Sequence, residues 1–421
     1  MGYIKKKIIS FSFIVLNILF YIICSMILNI KFNFNFTIFS IILFTIFFLG
    51  NIYDFQDNKY KTKMFFTSSV INLSLSLLII SYGLKNIAIL VLFEYIFQNI
   101  IKFIILNFMI KTENILVLGE KNINYEIIKE LAIKNGRYIT KGMVEIKNNK
   151  LKNLEEKIKK DDIDILILNL QKPIAEDILG ELLKIKMSGI KLYDFLNFYE
   201  AIEEKVPVKA INEEWFLFGE GFDIIHNGFN QRLKRVLDII MSLIIFIPAF
   251  PIMIIAAIIV KIESKGPIFF VQERIGMGNK PFKIIKFRSM KADAEKEGPQ
   301  WAKKKDDRVT KFGKIMRKTR IDELPQLINV MNGEMTFIGP RPERQHFIDV
   351  LENTIPFYNI RHSVKPGLTG WAQVNYSYGA SIEDAFEKLQ YDLYYIKHQS
   401  LVLDISIFFK TVKTVIFGRG Q

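Results

Sequence analysis

The spacing of the apolar runs constrains this chain more than any other feature. Lys5, Lys6 and Lys7 precede a predominantly apolar stretch from Ile8 to Leu28, and three more follow at Phe36–Tyr53, Met64–Tyr82 and Ile87–Ile110. A helix needs about 20 such residues to cross a bilayer core. The spacing therefore predicts a four-helix membrane bundle over residues 1–111. The first run is too long for a leader and lacks a small-x-small cleavage site, so it reads as an uncleaved anchor. Lys59, Lys61 and Lys63 lie between runs two and three and Lys111 follows run four, whereas the other two loops hold only Lys31 and Lys85. The positive-inside rule then places both ends of the bundle in the cytoplasm. Glu94 is the one acid within a run and has Lys102 nearby. It is expected to be satisfied inside the bundle rather than to serve transport.

Charge divides the remainder. Residues 1–111 hold 10 Lys/Arg against 3 Asp/Glu, residues 112–226 hold 17 against 21, and residues 227–421 hold 30 against 19, for a net +14 over 421 residues. A slightly acidic middle between basic ends argues for three units. Cys24 is the single cysteine, which excludes a disulfide scaffold and a Cys-rich zinc site, and four histidines count against an all-His metal cage.

In the middle block, Ile115-Leu116-Val117-Leu118-Gly119 reads as a buried parallel strand, followed by a helix through Ile127, Ile128 and Leu131. Ile163–Leu170 is a second strand, Ile178–Met187 a helix and Ile190–Phe195 a third strand. This alternation predicts a doubly wound, Rossmann-like α/β domain over 112–226. Gly119 is followed by Glu120, Lys121 and Asn122, so the phosphate-binding glycine fingerprint is missing.

A fifth apolar run, Val236–Val260, carries Pro248 and Pro251 near its middle and basic residues on both flanks: Arg232, Lys234 and Arg235 before, Lys261 and Lys265 after. Interior prolines break helices, and basic flanks favour keeping both ends cytoplasmic. Residues 236–260 are thus expected to form a reentrant helix that enters, breaks and returns. A fifth span with a proline kink is the alternative.

The candidate chemistry lies after this run. In Phe282-Lys283-Ile284-Ile285-Lys286-Phe287-Arg288, period-two alternation puts Lys286 and Arg288 on one strand face. Such a pair suits a diphosphate clamp; alone, the pattern equally describes a solvated strand. Arg320-Ile321-Asp322-Glu323-Leu324-Pro325 reads as a helix start with Asp322 as N-cap, Pro325 in the first turn and Gly333 past the end. Adjacent acids point in different directions, so one can attack while the other holds a metal. Arg341 sits between Pro340 and Pro342, and the loop Arg361–Trp371 has three potential cations, Arg361, His362 and Lys365. Stiff, basic, glycine-rich loops suit a nucleotide diphosphate. Arg274, in Gln272-Glu273-Arg274-Ile275-Gly276, joins Lys286, Arg288, Arg341 and Arg361 as a candidate substrate-binding residue.

Taken in order, KFRSM, RIDELPQLINVMNGEM, GPRP and RHSVKPGLTGWAQV resemble the bacterial sugar transferase family, the polyprenyl-phosphate sugar-1-phosphate transferases or monotopic phosphoglycosyl transferases. The resemblance covers about Arg232–Gln421. The four-run block and the α/β middle resemble, in architecture, the long form used in exopolysaccharide and O-antigen initiation. The family's reentrant helix usually breaks at Ser-Pro, where this chain has Phe250-Pro251 and an additional Pro248. The resemblance implies a membrane-embedded α+β catalytic domain over 227–421 in the bacterial cytoplasmic membrane. It also implies transfer of a sugar-1-phosphate from a UDP-sugar to undecaprenyl phosphate with release of UMP. By the same resemblance Asp322 is the catalytic nucleophile, forming a phosphosugar intermediate, Glu323 helps hold Mg²⁺, and Arg341, Lys286 and Arg288 neutralise phosphate. The competing class is a catalytically silent membrane regulator or scaffold, against which the intact Asp322, Glu323 and Arg341 count. Nucleic acid is not expected as a partner, because the basic residues are mostly lysines without interleaved aromatics. A homo-oligomer is compatible with the sequence.

Overall fold

The structure is a computed structural model that describes residues 112–119, 122–136, 138–145, 154–169, 176–219, 221–222, 228–291, 294, 306–376, 379 and 381–416. The four apolar runs of residues 1–111 and their orientation lie outside the described residues. The chain divides into two compact units, Met1–Glu203 and Glu204–Gln421.

The described part of the first unit runs β1 (Glu113–Gly119), α1 (Ile123–Asn135), β2 (Tyr138–Val144), α2 (Leu154–Lys160), β3 (Ile165–Asn169), α3 (Glu176–Met187), β4 (Lys191–Asp194) and α4 (Phe195–Glu203). The strands form a parallel sheet in the order β2-β1-β3-β4. Alternating residues of the two inner strands explain why both faces are covered. Leu116, Leu118 and Leu166 pack on α2 and α3 through Leu154, Ile158, Ile178 and Leu182. Ile115, Val117, Ile165 and Ile167 pack on α1 and α4 through Ile128, Leu131, Phe195 and Phe198. A strand buried on both faces needs a continuous apolar run, and β1 and β3 have one. Edge strand β2 is half-polar and interrupted by Gly142, so sequence periodicity missed it. At the start of α1, Asn122 accepts from the Asn124 and Tyr125 amides, and Asn169 Nδ2 donates to the same oxygen at 2.8 Å.

The described second unit begins with α5 (Glu213–Phe218) and a 36-residue helix, α6 (Gly228–Glu263). The antiparallel hairpin β5 (Phe269–Ile275) and β6 (Pro281–Phe287) follows, then α7 (Lys311–Thr319), a 3₁₀ turn (Ile321–Glu323) and α8 (Gln326–Asn332). Strand β7 (Thr336–Ile338) pairs in parallel with β8 (Gly367–Thr369), across α9 (Gln345–Thr354) and a second 3₁₀ turn (Tyr358–Ser363). Helices α10 (Trp371–Asn375), α11 (Ile382–His398) and α12 (Leu401–Ile416) complete it. Sequence places residues 204–226 with the middle block, yet the described part of that segment packs with the C-terminal one. Trp371 Nε1 donates to the Glu204 carbonyl at 2.8 Å, Lys205 pairs with Glu387 at 2.9 Å, and the Phe216 and Phe357 rings lie 5.0 Å apart.

Helix α6 is long and apolar enough to cross a membrane. Both prolines lie inside one helix, so the expected division into two separate helices at Phe250-Pro251 is absent. Each proline removes a single backbone bond. The Phe246 and Phe250 rings, 5.6 Å apart, and the buried residues on either side hold the turns together. One stripe, Asp238, Ser242, Ala249, Met253, Ala256 and Val260, is buried, while Ile244, Ile247, Ile255 and Ile258 are exposed. Both ends are tied to the same unit. Near the start, Arg235 donates to the Val330 and Met331 carbonyls, Lys234 pairs with Asp404 at 2.6 Å, and Asp238 accepts from Thr336 Oγ1 at 2.7 Å and the Phe337 amide at 2.9 Å. At the far end, Glu263 Oε1 accepts from the Phe312 amide at 2.9 Å, and Met253, Ala256 and Val260 pack on Phe287 and Met316.

Candidate active site

The site is built around the turn after α7. Arg320 closes that helix in the left-handed region (φ 59°), and the chain enters the 3₁₀ turn Ile321–Glu323. Ile321 and Leu324 anchor the turn in the cluster of Met253, Phe287 and Met316. Helix α8 then starts at Gln326 with Pro325 before it and ends at Gly333 in the left-handed conformation (φ 85°). The expected Gly333 stop is present, but Asp322 is not the N-cap. It lies a turn upstream and makes no capping bond, because the left-handed Arg320 starts a separate turn before the helix. Asp322 is 8% exposed, and its Oδ1 is buried without a hydrogen-bond donor.

Four cations surround the two acids. Arg341 Nη2 donates to Glu323 Oε1 at 2.6 Å, and Arg320 Nη1 reaches the same oxygen at 3.5 Å. Lys286, on β6, feels the charges of both acids, and Arg317, whose Nε donates to Ser289 Oγ at 2.9 Å, acts on Asp322. Burial, then the neighbouring Glu323 charge, raises the Asp322 pKa to about 6. Burial also works against the Glu323 carboxylate, but the Arg341 and Arg320 guanidiniums outweigh it and hold Glu323 well below the usual range. Burial, then Arg274 and Arg341, lowers Lys286 to about 8. Two acids driven apart in this way divide their roles: one stays ionised as a fixed charge, the other is poised near neutrality.

The structure therefore brings together Asp322, Glu323, Lys286 and Arg341, with Arg274 at the edge. Arg288 is elsewhere. It sits one residue past the end of β6, buried, donating to the Ser264 and Lys265 carbonyls at 2.7 and 3.1 Å, where it closes the end of α6. Arg361 is buried in an ion pair with Asp392 at 2.9 Å. His362 is driven neutral, its pKa lowered to about 4 by burial and then Arg361. Lys365 lies beside Arg235 and Asp238. The three candidate cations of that loop thus serve other contacts, His362 as a neutral ring against Asn279. Sequence reasoning missed Arg317 and Arg320; the signal was their placement in and just after the helix that leads into Asp322. It also missed Asn329, fully buried, whose Oδ1 accepts from the Ile285 amide at 3.1 Å and whose Nδ2 donates to the Lys283 carbonyl at 2.8 Å. That side chain fastens the strand bearing Lys286 to α8.

Among the described residues no group of three His, Cys, Asp or Glu side chains gathers as a metal cage. Mg²⁺ is commonly held by one or two carboxylates with substrate phosphates and water completing the shell. Asp322 and Glu323, with one buried oxygen lacking a donor, fit that kind of site.

A buried carboxylate of raised pKa, a second acid held ionised and a collar of guanidinium and ammonium groups thus lie together beside a membrane-length helix. The bacterial sugar transferase family model matches residues 229–418, and the chain belongs to that family. It is 41% identical over 250 residues to a UDP-N-acetylgalactosamine-undecaprenyl-phosphate N-acetylgalactosaminephosphotransferase of Aeromonas hydrophila, covering 58% of each chain. To a UDP-glucose:undecaprenyl-phosphate glucose-1-phosphate transferase of Klebsiella pneumoniae it is 45% identical, over 45% of this chain and 42% of the relative. To the exopolysaccharide production protein PSS of Rhizobium leguminosarum bv. phaseoli it is 39% identical, over 45% of this chain and 98% of the relative. The chain thus spans 58% and 42% of the length of the first two relatives.

Proposed function

We propose that this protein transfers a sugar-1-phosphate from a UDP-sugar to undecaprenyl phosphate at the cytoplasmic face of the membrane, releasing UMP, as the first membrane step of exopolysaccharide or O-antigen assembly. The observation that carries the reading is the Asp322–Glu323 turn, with an unpartnered Asp322 oxygen beside Lys286 and an Arg341 fixed on Glu323. The activities for which the Aeromonas and Klebsiella relatives are named supply the substrate class. In the first half-reaction an Asp322 carboxylate oxygen bonds to the β-phosphorus. The bond from that phosphorus to the bridging oxygen breaks, and UMP leaves with the oxygen. In the second, an oxygen of the lipid phosphate bonds to the same phosphorus and the aspartyl bond breaks, which restores the carboxylate. Lys286 and Arg341 offset charge as one anion approaches another. Asp322 and Glu323 are the residues that would hold Mg²⁺, which when bound supplies further neutralisation of the diphosphate. Helix α6, anchored at both ends to the one unit, supports a monotopic, reentrant insertion in which the helix bends at Pro248 and Pro251 without ending, which keeps the site at the membrane surface.

The test uses detergent-solubilised protein with a UDP-sugar labelled in the sugar, without lipid acceptor. Label should remain on the wild-type chain and be absent from Asp322→Asn. UMP that appears only when both substrates are present would replace the covalent route with direct displacement.

A further inference from the structure

We propose that Arg361 and Arg274 are positioning residues: they hold the Pro340-Arg341-Pro342 loop so that the Arg341 guanidinium stays on Glu323, and neither touches the donor's phosphates. The proposal rests on the reading above, in which Arg341 and Glu323 serve diphosphate transfer.

Proline has no backbone N–H, so a Pro-Arg-Pro loop has little means of tying itself down and must be held by its carbonyls. All three are held, each from a different element. The Pro340 carbonyl accepts from the Gly367 amide at 2.8 Å, the Arg341 carbonyl from Arg361 Nη2 at 2.9 Å, and the Pro342 carbonyl from Arg274 Nη1 at 3.3 Å. The flanks are fixed too: the Gly339 amide donates to the Thr369 carbonyl at 2.9 Å, and the Glu343 carbonyl accepts from the Ile275 amide at 3.0 Å. The loop conformation that aims Arg341 is therefore set by two arginine side chains and two short strands.

Each of these arginines is itself immobilised and matched by a carboxylate. Arg361, 6% exposed, pairs with Asp392, 2% exposed, at 2.9 Å and donates to the Tyr358 hydroxyl at 2.6 Å. Arg274 pairs with Glu343 at 3.2 Å and donates to Gln272 Oε1 at 2.9 Å. A guanidinium enclosed with its own counter-charge, as Arg361 is with Asp392, sets geometry as a fixed, multi-pronged donor, and Arg274, whose charge also reaches Lys286, holds the loop through the Pro342 carbonyl. Arg341 is the opposite case: its side chain is 38% exposed and it reaches the Glu323 carboxylate directly.

The test is a double-mutant cycle on UMP release by the full chain, with Arg361→Lys, Asp392→Asn and Arg274→Gln each made alone and in an Arg341→Gln background. Each should lower turnover about tenfold alone and less than about twofold once Arg341 is gone, because nothing remains to position. Losses that multiply fully would make Arg361 or Arg274 a direct phosphate ligand and overturn the proposal. Where an Arg361 variant does not fold, the Arg274→Gln cycle decides, since that side chain is partly exposed. A second readout does not depend on turnover. Amide hydrogen exchange across residues 338–344 should rise in Arg361→Lys and Arg274→Gln and stay near wild type in Arg341→Gln. Unchanged exchange in the first two overturns the positioning role. Raised exchange in a protein that releases no UMP from any UDP-sugar supports that role and overturns the functional reading alone.

Discussion

Asp322 is held in a state that costs stability. Its carboxyl keeps a proton in the folded protein up to about pH 6, well above the ordinary 3.8. A raised acid pKa gives stability that is fully present below the ordinary value and is lost as pH rises through about 6. Above that, the ionised group is a burden on the fold. Asp322→Asn should therefore raise the melting temperature at pH 7.5, by a change on the order of 1 kcal/mol, and do nothing at pH 3.5, where both forms are neutral. Turnover should fall by about a thousandfold or more, because the amide cannot attack phosphorus. Parallel thermal melts and UMP assays check both. An Asn variant less stable than wild type at pH 7.5 would contradict the burden. In the wild type, turnover should decline as pH drops through about 6. Glu323→Gln removes a negative neighbour that raises Asp322, so the acid limb of its weakened activity should move to lower pH, and added Mg²⁺ should restore part of the rate. The sequence made Asp322, Glu323 and Arg341 legible because their motifs are compact and ordered. It could not separate the arginines. Arg274, Arg288, Arg341 and Arg361 look alike as letters, and their roles differ through partners such as Asp392 and Ser264, fixed only by tertiary packing.

At the scale of elements, helix α6 shows how two local signals can be overruled. Pro248 and Pro251 predict two separate helices, but the segment remains one, with a buried stripe from Asp238 to Val260 on both sides of the prolines. The basic flanks supply side chains that tie the helix down. Arg235 and Lys234 at one end, and Glu263 and Ser264 at the other, bond to the same compact unit. If the proposed reentrant insertion holds, both ends share that unit's side of the membrane. Single cysteines at Lys234 and Lys265, in a Cys24→Ser background, should therefore react with an impermeant thiol reagent from the same side. Reaction from opposite sides would mean a true crossing and a different fold around α8. In the first unit, β1 and β3 were legible because both faces are apolar. Edge strand β2 and helix α4 were not, the one half-polar and the other following β4 without a loop.

For the whole molecule, the boundary between units decides what a functional fragment must contain. Charge balance suggested a cut near residue 227, because acidic residues continue through Glu213, Glu214 and Glu220. Net charge reports surface, not packing, and the described part of 204–222 belongs to the second unit. Beyond the contacts of Glu204, Lys205 and Phe216, the Val206 amide donates to the Gln390 carbonyl at 3.0 Å, Lys397 Nζ lies 4.5 Å from the Trp215 ring centre, and the Phe222 amide donates to the Lys397 carbonyl at 3.0 Å. Gly221 has φ 108°, and a Cβ there would meet Lys397 atoms at 2.7 and 2.8 Å, so the strap lies close against α11. That helix carries Asp392, the partner of Arg361. Every candidate site residue lies after Glu204. A fragment of residues 204–421 should therefore retain UMP release in membranes, within about threefold of the full chain. A fragment starting at residue 227 keeps every site residue but exposes Trp371 and the α11 face that the strap covers. Removal of buried aromatic and apolar contacts of this kind typically costs several kcal/mol. It should express poorly or melt well below the longer fragment, with activity lost in proportion to folded protein. Equal stability of the two fragments would show that the strap is passive. Loss of activity in a folded 204–421 fragment would show that the first unit contributes to the chemistry.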